Sequence, residues 1–254
     1  MKIAVCIKQV VTREVQVRPN DARTWIRDAD AEFEMNEPDA YALEAALRLR
    51  EAHGGEVIAV SAGPARVTQV LREALARGAD RAVHVEGDAL AQADAFAVAE
   101  ALAGAIGPES PDLVLTGLQS DDMGFGQTGV ILAERLGVAH ATIIMDVQVE
   151  GRTVRVKREL EGGWFQWLGM PLPALLTIQS GINQLRYATL KGIMAAKKKE
   201  IRVVSAAGME AAQRVVDLRA PEKQKATRMI GGTPAEAARE LVRALREDAR
   251  VVAQ

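Results

Sequence analysis

The chain of 254 residues has little of what usually makes chemistry visible in a sequence. It has one cysteine, so no disulfide can close within it, and three widely spaced histidines (His53, His84, His140) that offer no metal-ligand spacing. No structural metal is expected. Aromatic residues make up 4% of the chain. No apolar run is long enough for a membrane span or a signal peptide, and Met1-Lys2-Ile3 passes straight into a short strand-like run, so the expected location is the cytoplasm. Neither sign of charge is in excess. Lys and Arg number 32 against 34 Asp and Glu, and nothing global points to nucleic acid or a membrane surface. No acid–base pair or activated nucleophile stands out. Adjacent Asp121 and Asp122 diverge in a loop and are expected to cap the next helix. His84 and His140 read as satisfied structural histidines, and Cys6, inside an apolar run, as a small buried side chain.

What is present is concentrated between Leu113 and Gly129, Leu-Val-Leu-Thr-Gly-Leu-Gln-Ser-Asp-Asp-Met-Gly-Phe-Gly-Gln-Thr-Gly, followed by the helical apolar spacing of Val130, Ile131, Ala133 and Leu136. It reads strand, loop, helix. The uninterrupted apolar run suits a strand covered on both faces, and Gly124, Gly126 and Gly129 let backbone amides approach a ligand closely. The start of a helix after a strand collects anions. The spacing is neither a Walker loop nor a dinucleotide fingerprint, so the stretch alone leaves a phosphate cradle and an ordinary connection both open.

In chain order, Lys2 to Val11 predicts a first, central strand, and Val15 and Val17, alternating with polar residues, an edge strand or hairpin. Asn36-Glu37-Pro38-Asp39 is a helix start, with Asn36 as cap and Leu43, Ala46 and Leu47 facing inward up to Gly54-Gly55. Strands over 56–61 and 81–86 then alternate with a helix ending at Gly78 and an alanine-rich helix over 91–106. Alternation of this kind implies a three-layer, doubly wound α/β sandwich with a mostly parallel, Rossmann-like sheet. Its strand ends near Cys6, Ala62 and Gly117 can open on one crevice beside the Asn36 helix start. Beyond Ala141, strand-like runs follow without helices, ending with 174–178, and predict an antiparallel extension turned at Glu161-Gly162-Gly163. Trp164, Phe165 and Trp167 are expected to pack against core and partner. After a polar segment around 221–225, Thr233-Pro234 opens a helix with Ala237, Ala238, Leu241, Ala244 and Leu245 on one face.

Several motifs together carry a resemblance: Val156-Lys157-Arg158-Glu159-Leu160-Glu161-Gly162-Gly163, Leu172-Pro173-Ala174, and Arg186-Tyr187-Ala188-Thr189-Leu190 through Lys199. With Asn36, Ala59 to Pro64, Gly78 to Arg81, Gly117-Leu118-Gln119 and Gln127-Thr128-Gly129, the sequence closely resembles the β (small) subunit of electron-transfer flavoprotein. Residues 1–205 carry the likeness, as one nucleotide-binding domain containing a recognition segment at 185–199; 206–254 match in layout only, as an arm and helix packing on the partner subunit.

The resemblance implies a heterodimeric electron carrier rather than an enzyme. FAD would be held mainly by the α subunit and a structural AMP by this chain. Electrons would pass from flavin dehydrogenases of the acyl-CoA type, serving fatty acid β-oxidation, to a quinone oxidoreductase. By motif position AMP would touch Cys6, Asn36, Glu37, Pro38, Asp39, Ala62, Gly117, Leu118, Gln119, Ser120, Asp121, Asp122, Met123, Gly124, Phe125, Gly126, Gln127 and Thr128. Tyr187, Leu190, Ile193, Met194, Lys197 and Lys198 would form the docking segment, with Leu190 as its anchor. By themselves, the lysines at 197–199 read as a solvated helix end. The Gly126-Gln127-Thr128-Gly129 loop departs from the type found in electron-bifurcating members, which hold a second FAD, and favours AMP. Rival readings are that bifurcating variant, a stand-alone adenine-nucleotide regulator of the stress-protein type, and a nucleotidyl-transfer enzyme, whose phosphate-handling loop is missing.

Overall fold

The computed structural model describes residues 1–206, 210–221 and 227–251; the polar stretch 222–225 lies outside them. The first half of the chain gives β1 (Lys2–Cys6), β2 (Gln9–Val11), β3 (Phe33–Met35), α1 (Glu37–His53), β4 (Glu56–Gly63), α2 (Thr68–Arg77), β5 (Arg81–Glu86), α3 (Ala95–Ile106) and β6 (Leu113–Gly117). Then come α4 (Thr128–Leu136), β7 (Ala139–Glu150), β8 (Thr153–Glu159), β9 (Phe165–Pro171), β10 (Ala174–Ile178), α5 (Leu190–Ala196), β11 (Ile201–Ser205) and α6 (Pro234–Glu247).

Nine strands form one sheet in the order β11-β5-β4-β1-β6-β10-β7-β8-β9, parallel except for the pairings of β8. Strands β1 and β6 are buried almost throughout because apolar layers cover both sides of the sheet. On one side Ile3, Val5, Val57, Ala59, Leu113 and Leu115 meet Leu43 and Leu47 of α1 and Leu71 and Leu75 of α2. On the other, Ala4, Ile58, Val60 and Val114 meet Ala99, Leu102 and Ala105 of α3 and Leu132 of α4. Burial at roughly 25 cal/mol per Å² of apolar surface in these two layers is the main force holding the fold. From β1 the chain steps outward through β4 and β5 on one flank, then crosses to β6 on the other. The β1/β6 boundary is therefore the topological switch point, where an α/β sheet leaves a crevice at its carboxyl edge.

The doubly wound sandwich is present, with four departures from expectation. The first run is two strands, because at Lys8 the chain leaves the sheet and β2 pairs antiparallel with β3 in a separate ribbon. Residues 14–18 form no strand; a single bridge between Pro19 and Ile26 closes that excursion, since five alternating residues find no second strand to pair with. The third helix begins at Ala95, capped by Asp94, whose side chain accepts from Ala97 N–H at 2.9 Å; a 3-10 turn over Asp88–Gln92 precedes it. Finally, 174–178 is not antiparallel. Strand β10 inserts between β6 and β7, parallel to both, and its five consecutive buried residues are the mark of an inner parallel strand.

The antiparallel extension is the β7-β8-β9 meander, turned at Glu161–Gly163, where Gly162 and Gly163 both take positive φ. Its aromatics do not enter the core. Trp164, Phe165 and Trp167 stay exposed on the edge strand and its turn, with Lys157 over the Phe165 ring at 4.0 Å and Arg155 over Trp167 at 4.5 Å. The chain divides into two compact units, Met1–Leu218 and Arg219–Gln254. The second is built on α6, which begins with a full capping box between Thr233 and Glu236 and buries none of its described side chains.

Candidate functional site

The crevice at the switch point is organised by α1. Asp39, in its first turn, is 6% exposed, and its carboxylate accepts Lys8 N–H at 2.7 Å and Gly117 N–H at 2.8 Å. One side chain thus joins the diverging ends of β1 and β6. Only glycine tolerates that approach at 117, where a Cβ would lie 2.4 Å from the Asp39 carboxylate. Burial pushes the Asp39 carboxyl up to about 6, although the Lys8 and Gly117 amides and Asn36 act to lower it. Burial, reinforced by the Asp39 charge, raises the Cys6 thiol and keeps it protonated and unreactive.

Asn36 does not cap its helix. It is buried and spends both ends of its amide on the facing loop, donating to Gln119 C=O at 3.0 Å and accepting from Asp121 N–H at 2.9 Å. Nor do the two aspartates cap α4. Asp121 accepts from Glu37 N–H at 3.3 Å, at the start of α1, and pairs with Arg13 at 2.7 Å; Asp122 pairs with Lys8 at 2.6 Å. Loop 118–127 is tied to α1 and to the segment after β1 from several directions. That consumption of side chains leaves α4 with Gln127 at its cap position and no side-chain cap. Its first-turn amides are then donors in want of an acceptor, with the positive end of the helix dipole behind them.

Several of these groups, Asn36, Asp39, Lys8 and Gly117 among them, line one open-mouthed cleft. Its lining includes Gly126, Gln127, Thr128 and Gly129 around the start of α4, and the apolar Leu90, Ala93, Val98 and Leu102 from the turn after β5 and from α3. A donor-rich helix start together with an apolar wall suits a phosphate joined to a flat, weakly polar ring.

Of the residues expected here, Cys6, Asn36, Asp39, Ala62, Gly117, Leu118, Gln119, Ser120, Met123, Phe125, Gly126, Gln127 and Thr128 face the cleft. Glu37, Pro38, Asp121, Asp122 and Gly124 do not line it and instead shape the loop and the helix start. Sequence reasoning placed the strand end at Cys6 and Ile7 on this crevice but missed Lys8, Thr116, Trp25 and the wall from Leu90 to Leu102. The turn after β5 opens on the same sheet edge as those after β1, β4 and β6, so topology could have found that wall; Trp25 comes from the excursion and carried no such signal. Of the histidines, His84 is buried with Nε2 donating to Gly63 C=O at 2.9 Å, whereas His140 is exposed rather than packed.

The residues expected to form the docking segment lie elsewhere, where α5 packs along α2. Tyr187 is 88% and Leu190 84% exposed, and Ile193 and Met194 are exposed beside them. Lys197 and Lys198 are solvated, whereas Lys199 turns inward and donates to the Leu75 carbonyl at 3.4 Å and to that of Ala79.

A family model for the electron transfer flavoprotein domain matches residues 24–209. The chain belongs to the electron transfer flavoprotein family. It is 38% identical to the electron transfer flavoprotein subunit beta of Methylophilus methylotrophus, over 97% of this chain and 98% of that protein. It is similar at 38% to the mitochondrial subunit beta of Oryza sativa subsp. indica, over 99% and 100%, and at 33% to the subunit beta of Bacillus subtilis (strain 168), over 99% and 100%. Members of this family work in electron transfer and involve a flavin, and the chain is a carrier component rather than an enzyme. Among the described residues, no cluster of side chains is disposed to hold a metal, and no helix is long and apolar enough to cross a membrane.

Proposed function

We propose that the chain is the β subunit of a cytoplasmic, heterodimeric electron carrier and holds AMP in the switch-point cleft. The observation that carries this is the start of α4, without a side-chain cap, in a cleft that is also lined by apolar side chains of α3 and of the turn after β5. Amides near Gln127 and Thr128 would receive the phosphate, and Leu90, Val98 and Leu102 would flank the base. Asp39 and Asn36 hold the strand ends and the loop around it. FAD, held mainly by the α subunit, would supply the one- and two-electron chemistry. This chain would close one side of the flavin and dock the donor through Leu190. The exposed apolar row of Tyr187, Leu190, Ile193 and Met194, with Lys197 and Lys198 beside it, has the make-up of such a surface: an apolar knob for affinity and nearby charge for steering. The donors are flavin dehydrogenases of the acyl-CoA oxidising type and the acceptor is a quinone oxidoreductase.

The test is reconstitution. Co-expressed with its α subunit, the chain should form a yellow 1:1 complex that a substrate-reduced acyl-CoA dehydrogenase reduces and a quinone oxidoreductase reoxidises. A complex that no such dehydrogenase reduces would contradict the reading.

A further inference from the structure

The exposed apolar row on α5 is short, and a seven-residue helix has no stability of its own in water. It packs along α2, and the chain that leads into it, 183–186, is held by a set of contacts to a single stripe of α1. Asn183 Nδ2 donates to Tyr41 C=O at 3.1 Å. Arg186 donates to the Glu44 carboxylate from Nε at 2.7 Å, from Nη2 at 3.1 Å and from its backbone amide at 3.3 Å. Arg48 donates to the same carboxylate at 2.7 Å and, with its other arm, to Gln184 C=O at 2.8 Å. Glu51 takes the remaining face of Arg186, with Nη2 donating at 3.1 Å. Residues 41, 44, 48 and 51 recur at helical spacing on one face of α1.

Glu44 is the hub. It is 4% exposed, in the middle of a helix, and a carboxylate there is tolerated only because two guanidinium groups meet it. At the far end of the segment, Arg72 donates to Ala196 C=O at 2.6 Å and Lys199 C=O at 2.7 Å. Between the two clamps, a Cβ at Gly192 would come within 2.3 Å of Ala76 C=O, so α5 sits directly on the backbone of α2.

We infer that Glu44 is the positioning residue of the docking segment: through Arg186 and Arg48 it fixes the chain at 184–186, so Leu190 is presented preformed to the donor. The inference rests on the docking reading above and adds a rigid mount. A preformed knob avoids the entropy of ordering the segment at each encounter, which suits a carrier that must bind and release many times. Glu44 itself touches neither cofactor nor donor.

The test uses the reconstituted heterodimer with Glu44→Gln, Arg186→Lys as a second variant in case the first folds poorly, and Leu190→Ala as reference. With the carrier as varied substrate of an acyl-CoA dehydrogenase, Glu44→Gln should raise KM about fivefold to tenfold with kcat and flavin content unchanged. Combined with Leu190→Ala it should add little, because the knob it positions is already gone. In parallel, trypsin should cut after Lys191, Lys197 or Lys198 about tenfold faster in the variant, since cleavage follows the population of the open segment. A lowered melting temperature with unchanged KM and an unchanged tryptic pattern would overturn the positioning role. Should Leu190→Ala leave KM untouched, the docking reading falls and this inference with it; should only Leu190→Ala raise KM, docking stands and the inference falls alone.

Discussion

At the residue scale, the cleft is held by side chains doing work other than their sequence positions suggest. Asn36 stands where a cap belongs, yet both ends of its amide bind the loop across the cleft. Asn36→Ala leaves the Asp121 amide and the Gln119 carbonyl short of a partner and should cost about 1–3 kcal/mol in chemical denaturation. It should also loosen AMP, read as nucleotide retained after gel filtration. Asp39 supplies a pH signature. Its carboxyl lies at about 6 against an ordinary 3.8, so the folded chain binds this proton more tightly than the unfolded one. The resulting stability is fully present below about pH 4 and is lost as pH rises through about 6. Stability of the nucleotide-free protein should therefore fall between pH 4.5 and 7 more steeply than in Asp39→Asn; parallel curves for the two proteins would contradict the assignment. The caps of Asn36 and the two aspartates were misread because residue type shows that a polar group can bond locally, not that a loop over eighty positions away offers a better partner.

At the scale of elements, the strand-loop-helix over 113–129 was legible because period, glycine and length agree there. Gly129 shows why glycine is needed after the loop: a Cβ would lie 2.6 Å from the Thr177 methyl and 2.8 Å from the Thr116 hydroxyl. Gly129→Ala should push the start of α4 off β6 and β10, costing about 1–3 kcal/mol, and weaken AMP more than Asn36→Ala does, as isothermal titration would show. Strand β10 was misassigned because direction is not written in a strand. Its continuous apolar run carried the hint, since a half-exposed antiparallel strand would alternate. The meander kept its turn but not its packing: a row of Trp and Phe looks the same whether it faces a core or an edge. Leu190 was legible only through resemblance, since a lone exposed leucine has no periodicity to announce it.

At the scale of the whole molecule, one unit carries the cleft and the exposed apolar row on α5, and another carries an amphipathic helix with none of its described side chains buried. A helix of 14 residues is marginal by itself in water, and its stripe of Ala237, Leu241, Ala244 and Leu245 needs a cover. The partner subunit is the proposed cover. Removing residues 232–254 should leave the melting of the first unit within about 1 kcal/mol while lowering the yield of co-purified heterodimer severalfold, measured by analytical gel filtration. The alternation of strands and helices made the switch point and its crevice readable from the chain alone, because topology decides where strand ends meet. The wall from Leu90 to Leu102 and the excursion bearing Trp25 escaped, because the first needs the crevice drawn one strand wider and the second needs three-dimensional packing.

The central claim is that this cleft holds AMP while the flavin belongs to the partner. Acid extraction of the purified heterodimer, with chromatography of the released nucleotides, tests it most directly. The account predicts one AMP and one FAD per heterodimer, with AMP reduced selectively in the Gly129→Ala protein. Two FAD and no AMP would contradict it and move the chain to the bifurcating branch, and ATP without flavin would return it to the nucleotide-binding regulators.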